Sequence, residues 1–85
     1  MSDLTSLRNL GREMERKLTS VGIGSAGELR ELGAKEAFFQ LKMRYPNVCL
    51  VHLYVLEGAI RDMDYNRLPE DTRQDLKEFS DFLKR

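Results

Sequence analysis

Apolar residues recur along this chain at intervals of three and four, the period of an amphipathic helix. The first series consists of Leu7, Leu10, Met14, Leu18 and Val21. Its spacing predicts a helix from about Arg8 to Ser20 that turns one stripe toward the core, with Gly11 weakening the first turn. On a second face of this helix, Arg8, Arg12 and Arg16 stand four residues apart and form a basic stripe.

Two further patterns predict the second and third helices. Ser25 and Glu28 match the S-x-x-E capping box, in which both side chains bond backbone N–H groups, so we expect a helix to start at Ser25. Gly33 is placed to end it in a left-handed conformation. The third series consists of Ala34, Ala37, Phe38, Leu41 and Tyr45. This helix should stop before Pro46, because the residue that precedes a proline avoids the helical region.

The apolar run from Val48 to Leu56 fits a buried strand or a buried helix. We favour a helix, because the pattern continues to Arg61, beyond the usual length of a strand, and no partner strand is found elsewhere. Pro69 and the acids after it mark the start of a last helix that runs nearly to the C-terminus. The sequence therefore predicts an all-α protein, with one compact five-helix domain over residues 1–85.

Composition agrees with a small independent domain. At 85 residues, with 41% hydrophobic and 33% charged residues, the chain is long enough for one core and too short for two. The single cysteine cannot form an intramolecular disulfide, and the N-terminus lacks the basic and apolar regions of a signal peptide. No apolar run approaches the roughly 20 residues that span a bilayer. We therefore expect a cytoplasmic protein with no membrane role.

The turn between the first two predicted helices, Gly22-Ile23-Gly24, carries a local signal for anion binding. Glycines adopt backbone conformations closed to other residues, and the N–H groups at the start of a helix can bind an anion. In DNA-binding hairpins of this kind, backbone N–H groups contact phosphate and nearby basic residues add charge. The candidate nucleic-acid-binding residues are then Gly22, Gly24, Ser25 and Ala26, with Arg12 and Arg16 on the preceding helix. The same geometry also serves as a plain tight connector.

Charge argues against a dedicated DNA-binding protein. The chain has 14 basic and 14 acidic residues and hence a net charge of zero, whereas binding to phosphates favours a basic surface. Residues 1–45 carry eight Lys and Arg against six Asp and Glu, and residues 46–85 carry six against eight. The turn itself contains no Lys or Arg. Nucleic-acid binding there should therefore be weak.

Candidate catalytic and metal-binding residues are few. Cys49 and His52 stand three apart on the long apolar segment, but a zinc site needs three or four protein ligands and the chain has one Cys and one His. The simpler interpretation makes Cys49 a small core residue and His52 a partly buried ring bonded to a backbone carbonyl. No carboxylate pair lies in an apolar cluster that would separate the pKa values for acid–base catalysis. We expect no catalytic residues, no metal and no cofactor.

Four motifs in a fixed order resemble the C-terminal domain of the TfoX (Sxy) family. They are N-L-G at 9–11, V-G-I at 21–23, L-R-x-L-G-A at 29–34 and L-Y-x-L-E-G-A at 53–59, followed by Leu68-Pro69. The resemblance runs from about Leu4 to Leu83. It implies a five-helix fold similar to SAM-like and helix-hairpin-helix domains, with no catalytic residues to carry over. It also implies a link to regulators of natural competence, which help a cyclic-AMP-receptor-type activator switch on DNA-uptake genes.

The sequence leaves two kinds of macromolecular contact open. By the resemblance, the chain is a non-catalytic regulatory module that binds a protein partner, such as a transcription activator, with weak contact to nucleic acid through the turn. The alternative is a protein interaction or self-association domain unrelated to competence, in which a helix face such as the Phe39 and Met43 side meets the partner. The sequence determines neither the partner nor the oligomeric state.

Overall fold

The computed structural model describes residues 3–84, and within that range the chain forms five α-helices and no strand. The helices are α1 (Arg12–Ser20), α2 (Ala26–Leu32), α3 (Ala34–Arg44), α4 (Leu50–Arg61) and α5 (Glu70–Leu83), with short 3₁₀ turns at Leu4–Ser6 and Tyr65–Arg67. The all-α, five-helix prediction is confirmed, including the choice of helix for the long apolar segment. Met1, Ser2 and Arg85 lie outside the described residues, and the domain limits of 1 and 85 stay a prediction.

The core is built around α4, which packs against both α3 and α5. The largest fully buried side chains are Phe38, Leu4, Leu18, Leu29, Leu41, Leu53, Leu56, Leu76 and Val48. Removing apolar surface from water contributes roughly 25 cal/mol per Å², so these side chains supply most of the stabilisation. The continuous apolarity of α4 follows from its central position. None of the helices within residues 3–84 combines the length and apolarity needed to cross a bilayer.

The first helix begins later than the apolar spacing predicts. Gly11 is its N-cap residue in an extended conformation, and α1 starts at Arg12. Asn9 has a φ of 75°, a left-handed conformation that no α-helix includes. The prediction that Arg8 shares a helical stripe with the next two arginines is therefore wrong. The Arg8 guanidinium lies instead 3.8 Å from the carboxylate of Asp62, in the link between α4 and α5.

Two motif residues, Asn9 and Gly58, meet where the N-terminal segment crosses the end of α4. The Asn9 Nδ2 group donates a hydrogen bond to the Met63 carbonyl at 3.0 Å. A Cβ atom on Gly58 would lie 2.6 Å from that Nδ2 atom and 2.7 Å from the Met63 oxygen. Only glycine permits this approach without moving backbone. The pair therefore holds the N-terminal segment against the link between α4 and α5.

The helix ends follow the predicted capping chemistry in part, since the Glu28 carboxylate accepts from the Ser25 hydroxyl and not from a backbone N–H. Ser25 is the N-cap residue of α2, and its side chain accepts the Glu28 N–H. Gly33 ends α2 and precedes α3 with a φ of 88° and a ψ of 156°, so its φ is positive as expected, but the predicted left-handed helical conformation is wrong because ψ is extended. Pro69 stands one place before the first residue of α5, as its N-cap rather than its first helical residue.

Candidate functional site

The turn between α1 and α2 is closed by backbone hydrogen bonds to the end of α1. The N–H groups of Val21, Gly22 and Ile23 donate to carbonyls of α1 at 2.9–3.1 Å. Gly22 has a φ of 90°, whereas Gly24 lies outside the positive-φ region. Conformation therefore requires glycine at only one of the two positions. The amide of that glycine already donates to the Thr19 carbonyl.

Two amides at the start of α2 are bonded to side chains of the protein. The Ala26 N–H donates to Asp3 Oδ1 at 2.7 Å, and the Glu28 N–H donates to Ser25 Oγ at 3.1 Å. The Ser25 hydroxyl in turn donates to the Glu28 carboxylate at 3.2 Å. The carboxylates of Asp3 and Glu28 thus lie at the helix end where the backbone dipole attracts anions. The anion at Ala26 is supplied by the chain itself.

Negative charge continues along the groove that borders this turn. The groove has a volume of about 280 Å³ and is lined by Gly22, Ile23, Glu28, Glu31 and Leu32. Both charged side chains of this lining are carboxylates, which would repel a phosphate. The structure therefore groups Gly22, Gly24, Ser25 and Ala26 in one place, as the sequence predicts, but places carboxylates beside them. Contact of these residues with nucleic acid stays a prediction.

The two arginines proposed to assist the turn lie along α1. Arg12 is its first residue, about 12 Å from Ser20 along the helix axis at 1.5 Å per residue. Arg16 pairs with Glu13, with Nη2 and Oε1 separated by 2.7 Å. The hydrogen bond and the positive charge of Arg16 lower the pKa of Glu13, and the same pair raises the pKa of Arg16.

A group of cationic residues surrounds Tyr45, where α1 ends beside the end of α3. The Tyr45 hydroxyl and Ser20 Oγ share a hydrogen bond of 2.6 Å. Lys17 Nζ lies 5.5 Å and Arg44 Cζ lies 5.8 Å from the centre of the Tyr45 ring, within the range of cation–π contact. Hydrogen bonds with Ser20 and Arg44, together with the charges of Arg44 and Arg16, lower the pKa of Tyr45.

We refer to Arg16, Lys17, Ser20, Arg44 and Tyr45 as the Tyr45 cluster. Of these residues, only Arg16 is a candidate binding residue by its sequence pattern. The helical spacing of Arg16 and Ser20 and the neighbouring Arg44 and Tyr45 are visible in the sequence. That these two pairs meet depends on the packing of α1 against α3.

Cys49 differs from its sequence interpretation, and so does the hydrogen bond of His52, whereas the partial burial of the His52 ring is confirmed. Cys49 is exposed, because it is the N-cap residue of α4 and the core position falls on Val48. His52 Nδ1 accepts the Cys49 N–H at 3.1 Å, so the ring bonds a backbone N–H and not a carbonyl. Both side chains cap the first turn of α4. Across residues 3–84, no cluster of three or more His, Cys, Asp or Glu side chains could hold a metal ion.

A larger open groove of about 420 Å³ lies where α3 and α5 begin and α4 ends. Its two cations are each paired with a carboxylate, and Glu36 and Asp71 add two further carboxylates. Lys35 Nζ lies 2.8 Å from Asp75 Oδ2, and Arg61 pairs with Glu57. Such compensated pairs are common on solvated surfaces and contribute little individually. With four carboxylates against two cations in its lining, this groove is a mixed-charge surface with a surplus of negative charge.

The helix order and the position of its motifs agree with one known domain family. Residues 1–80 match the TfoX C-terminal domain, a match that extends from the N-terminal segment into α5. The chain belongs to this family. The resemblance carried by the N-L-G, V-G-I, L-R-x-L-G-A and L-Y-x-L-E-G-A motifs is thereby confirmed.

One relative of known name and two solved structures are similar to the chain. Protein Sxy of Escherichia coli (strain K12) is 38% identical over 80 residues, which cover 94% of this chain and 38% of Sxy. A triclinic crystal structure of an uncharacterized protein from Listeria monocytogenes has a TM-score of 0.93 at 36% identity, over 95% of this chain and 92% of that one. A tetragonal structure of a protein of unknown function from the same organism has a TM-score of 0.91 at 36% identity, over 94% and 98%. The chain spans well under half the length of Sxy.

Proposed function

We propose that this chain is a non-catalytic protein-interaction module that acts as a TfoX-like regulator of competence genes. Membership of the TfoX C-terminal domain family and the similarity to Sxy support the regulatory role. The observation that favours a protein partner over DNA is the acidic surround of the turn. Asp3 is bonded to the Ala26 amide, and Glu28 and Glu31 line the adjacent groove.

Contact between the turn and a nucleic-acid backbone is the second candidate. It is supported by the conformation of Gly22 and by the helix start that follows the turn. Phosphate binding draws its affinity from cations that neutralise the backbone. At this turn the nearest described charges are carboxylates, so a protein partner is the better-supported function.

The nucleic-acid candidate is tested by titrating the ¹⁵N-labelled chain with a short DNA duplex at low salt. We expect no saturable amide shifts concentrated at residues 20–27, because the carboxylates repel phosphate. The Asp3→Asn/Glu28→Gln double variant removes two of these charges and shows whether the carboxylates prevent DNA from binding to the turn. Localised, salt-sensitive shifts at 20–27 in the unchanged protein would establish DNA contact and overturn the preference for protein.

The regulatory role is tested in the organism that carries the gene. Deletion should lower transcript levels of DNA-uptake genes, and the unchanged gene supplied in trans should restore them. A Cys49→Ala/His52→Gln double variant should restore them equally, since neither side chain has a chemical role in the proposal. Transcript levels that do not respond to the deletion would contradict the regulatory role, and failure of a double variant that circular dichroism shows to be folded would favour an enzyme.

A further inference from the structure

The Tyr45 cluster carries more positive than negative charge. Three of its side chains are cationic, and the carboxylate that pairs with them is Glu13, 2.7 Å from Arg16 and 4.0 Å from Lys17. Among the ion pairs formed within residues 3–84, none includes Arg44. The local surplus is therefore two positive charges before the backbone is considered.

The helix dipoles reduce this surplus without removing it. Lys17 and Arg44 stand in the last turns of α1 and α3, where cations are favoured by the negative end of each helix. Each helix end is equivalent to roughly half a negative charge. About one positive charge then remains, which suits a compact anion such as one or two carboxylates.

The cluster is held in place by contacts between two helices. The hydrogen bond between Tyr45 and Ser20 joins the ends of α3 and α1, and the Tyr45 N–H donates to the Leu41 carbonyl at 2.7 Å. The Lys17 side chain is only 21% exposed, whereas that of Arg16 is 61% exposed. A fixed aromatic ring with accessible guanidinium groups beside it lowers the ordering cost of binding.

Its surroundings favour carboxylate side chains over a nucleic-acid backbone. The turn that follows Ser20 directly is bordered by the carboxylates of Glu28 and Glu31, which would repel an extended polyanion lying across both regions. A specific nucleic-acid interface also uses many cations in succession. A guanidinium such as that of Arg44 can instead hold a single carboxylate through two parallel hydrogen bonds.

We propose that the Tyr45 cluster is the docking site for an acidic segment of the partner protein, whose carboxylates bind Arg16, Lys17 and Arg44. The proposal rests on the proposed function, because it names the surface and the charge of the same protein contact. It requires no new chemistry and no conformational change. Binding at this site should weaken as the ionic strength rises, because salt screens the attraction between the carboxylates and the cations.

The probe for this site is a blocked hexaglutamate peptide, with hexaglutamine as the uncharged comparison. Titration of the ¹⁵N-labelled full chain at low ionic strength should give saturable shifts at residues 16–20 and 44–45 with hexaglutamate alone. Raising the salt to about 0.15 M shortens the Debye length to about 8 Å and should weaken the binding. The same titration with a short DNA duplex compares the two classes of anion.

An Arg16→Gln/Arg44→Gln double variant should bind hexaglutamate with an affinity lowered by at least about fivefold, because it loses two exposed charge pairs. The Lys77→Gln variant is the control, since it removes an exposed positive charge from α5. Its affinity for hexaglutamate should equal that of the unchanged protein. Circular dichroism of each variant should match that of the unchanged protein. No saturable shift with hexaglutamate, equal binding by the double variant, or tighter binding of DNA to the same residues would overturn the proposal.

The transcript assay separates this proposal from the regulatory role. A folded double variant that fully restores transcript levels would show that the partner does not dock at the Tyr45 cluster, while the regulatory role stands. Transcript levels that do not respond to gene deletion would end the regulatory role without affecting the peptide titration. Loss of complementation by the double variant, with Lys77→Gln still active, is the expected result.

Discussion

The turn between α1 and α2 directly follows the α1 residues of the Tyr45 cluster, but the two regions differ in how their polar groups are matched. At the turn, the N–H groups of Gly22 and Ala26, two of the four that the motif offers, already donate to acceptors within the chain, and carboxylates line the adjacent groove. In the Tyr45 cluster, cations outnumber the carboxylate that pairs with them. The motif thus marks a structural element, whereas the uncompensated positive charge lies in a group of residues that no motif marks.

This difference separates conformational signals from electrostatic ones. A turn needs glycine where the backbone φ is positive or where another atom approaches the Cα closely, and this need is independent of what the turn binds. The affinity of a surface for a charged partner is set by the charges that remain uncompensated around it. The variants below test whether the turn is mainly structural and the cluster mainly available for binding, in order of decreasing effect on stability.

Replacing Gly22 should have the largest effect of these variants. Gly22→Ala forces a residue with a side chain to a φ of 90°, which costs about 1–2 kcal/mol in the free energy of unfolding. The matched control is Gly24→Ala, whose Cβ would lie 3.6 Å from Glu28 Oε1 at ordinary contact distance. Urea denaturation should show a change within about 0.5 kcal/mol for the control. Equal losses at the two positions would contradict a conformational requirement specific to Gly22.

Removing the internal anion of the turn should cost somewhat less. Asp3→Ala leaves the Ala26 N–H without its 2.7 Å acceptor, and loss of a helix-capping side chain costs about 1 kcal/mol. In a domain of this size that corresponds to a melting temperature lower by about 4–8 °C. The Asp3→Asn variant keeps an acceptor oxygen, so its melting temperature in a thermal scan should lie between those of the Asp3→Ala variant and the unchanged protein. An Asp3→Ala protein that melts with the unchanged one would show that this contact does not stabilise the turn.

Substitution in the Tyr45 cluster should weaken binding of the acidic peptide while changing the stability of the protein little. Arg44→Gln removes an exposed guanidinium outside the ion pairs formed within residues 3–84. The free energy of unfolding should change by less than about 0.5 kcal/mol in urea. A loss as large as that of Gly22→Ala would mean that the cluster is part of the structural framework, which would remove the contrast between the two regions.

The phenol of Tyr45 reports on the field within the cluster. Its pKa is lowered because Ser20 and Arg44 bond the phenolate and nearby positive charges stabilise it. Ser20→Ala and Arg44→Gln should each raise this pKa toward the ordinary range of tyrosine, as measured by a pH titration of the Tyr45 ring resonances. The Lys77→Gln variant should leave the pKa of Tyr45 unchanged. A Tyr45 pKa that is unchanged by both substitutions would show that neither Ser20 nor Arg44 contacts the phenol in solution.

The smallest expected effect concerns Glu13 on the exposed side of the cluster. Arg16→Gln removes the hydrogen bond and charge that lower the pKa of Glu13, so this pKa should rise in a carboxyl NMR titration. A lowered pKa in the folded state stabilises above the unfolded-state value and loses that contribution as pH falls through the folded-state value. The Arg16→Gln protein should therefore lose less stability on acidification than the unchanged protein. An unchanged Glu13 titration would show that the pair is not formed in solution.

The helical framework was accessible from the sequence because helix periodicity is a local property. The spacing of apolar residues in α3, the Ser25 cap and the restriction before Pro46 each involve residues within a few places of one another. Two of the wrong predictions failed for different reasons, one because of a distant contact and one because of a local capping role that the apolar pattern does not reveal. Asn9 takes a φ of 75° beside the Met63 carbonyl, which moves the start of α1. Cys49 serves as an N-cap, which takes it out of the core.

By itself the sequence determined five helices, their order, the positive φ at Gly33 and membership of the TfoX C-terminal domain family, because each depends on short-range patterns or motif order. Tertiary structure decided the rest. Asp3 reaches Ala26 across 23 residues, Tyr45 reaches Ser20 across 25, and Asn9 reaches Met63 across 54. Such contacts arise only when helices pack, because packing brings together residues that no local pattern relates. The charge of the turn and the composition of the Tyr45 cluster are consequences of that packing.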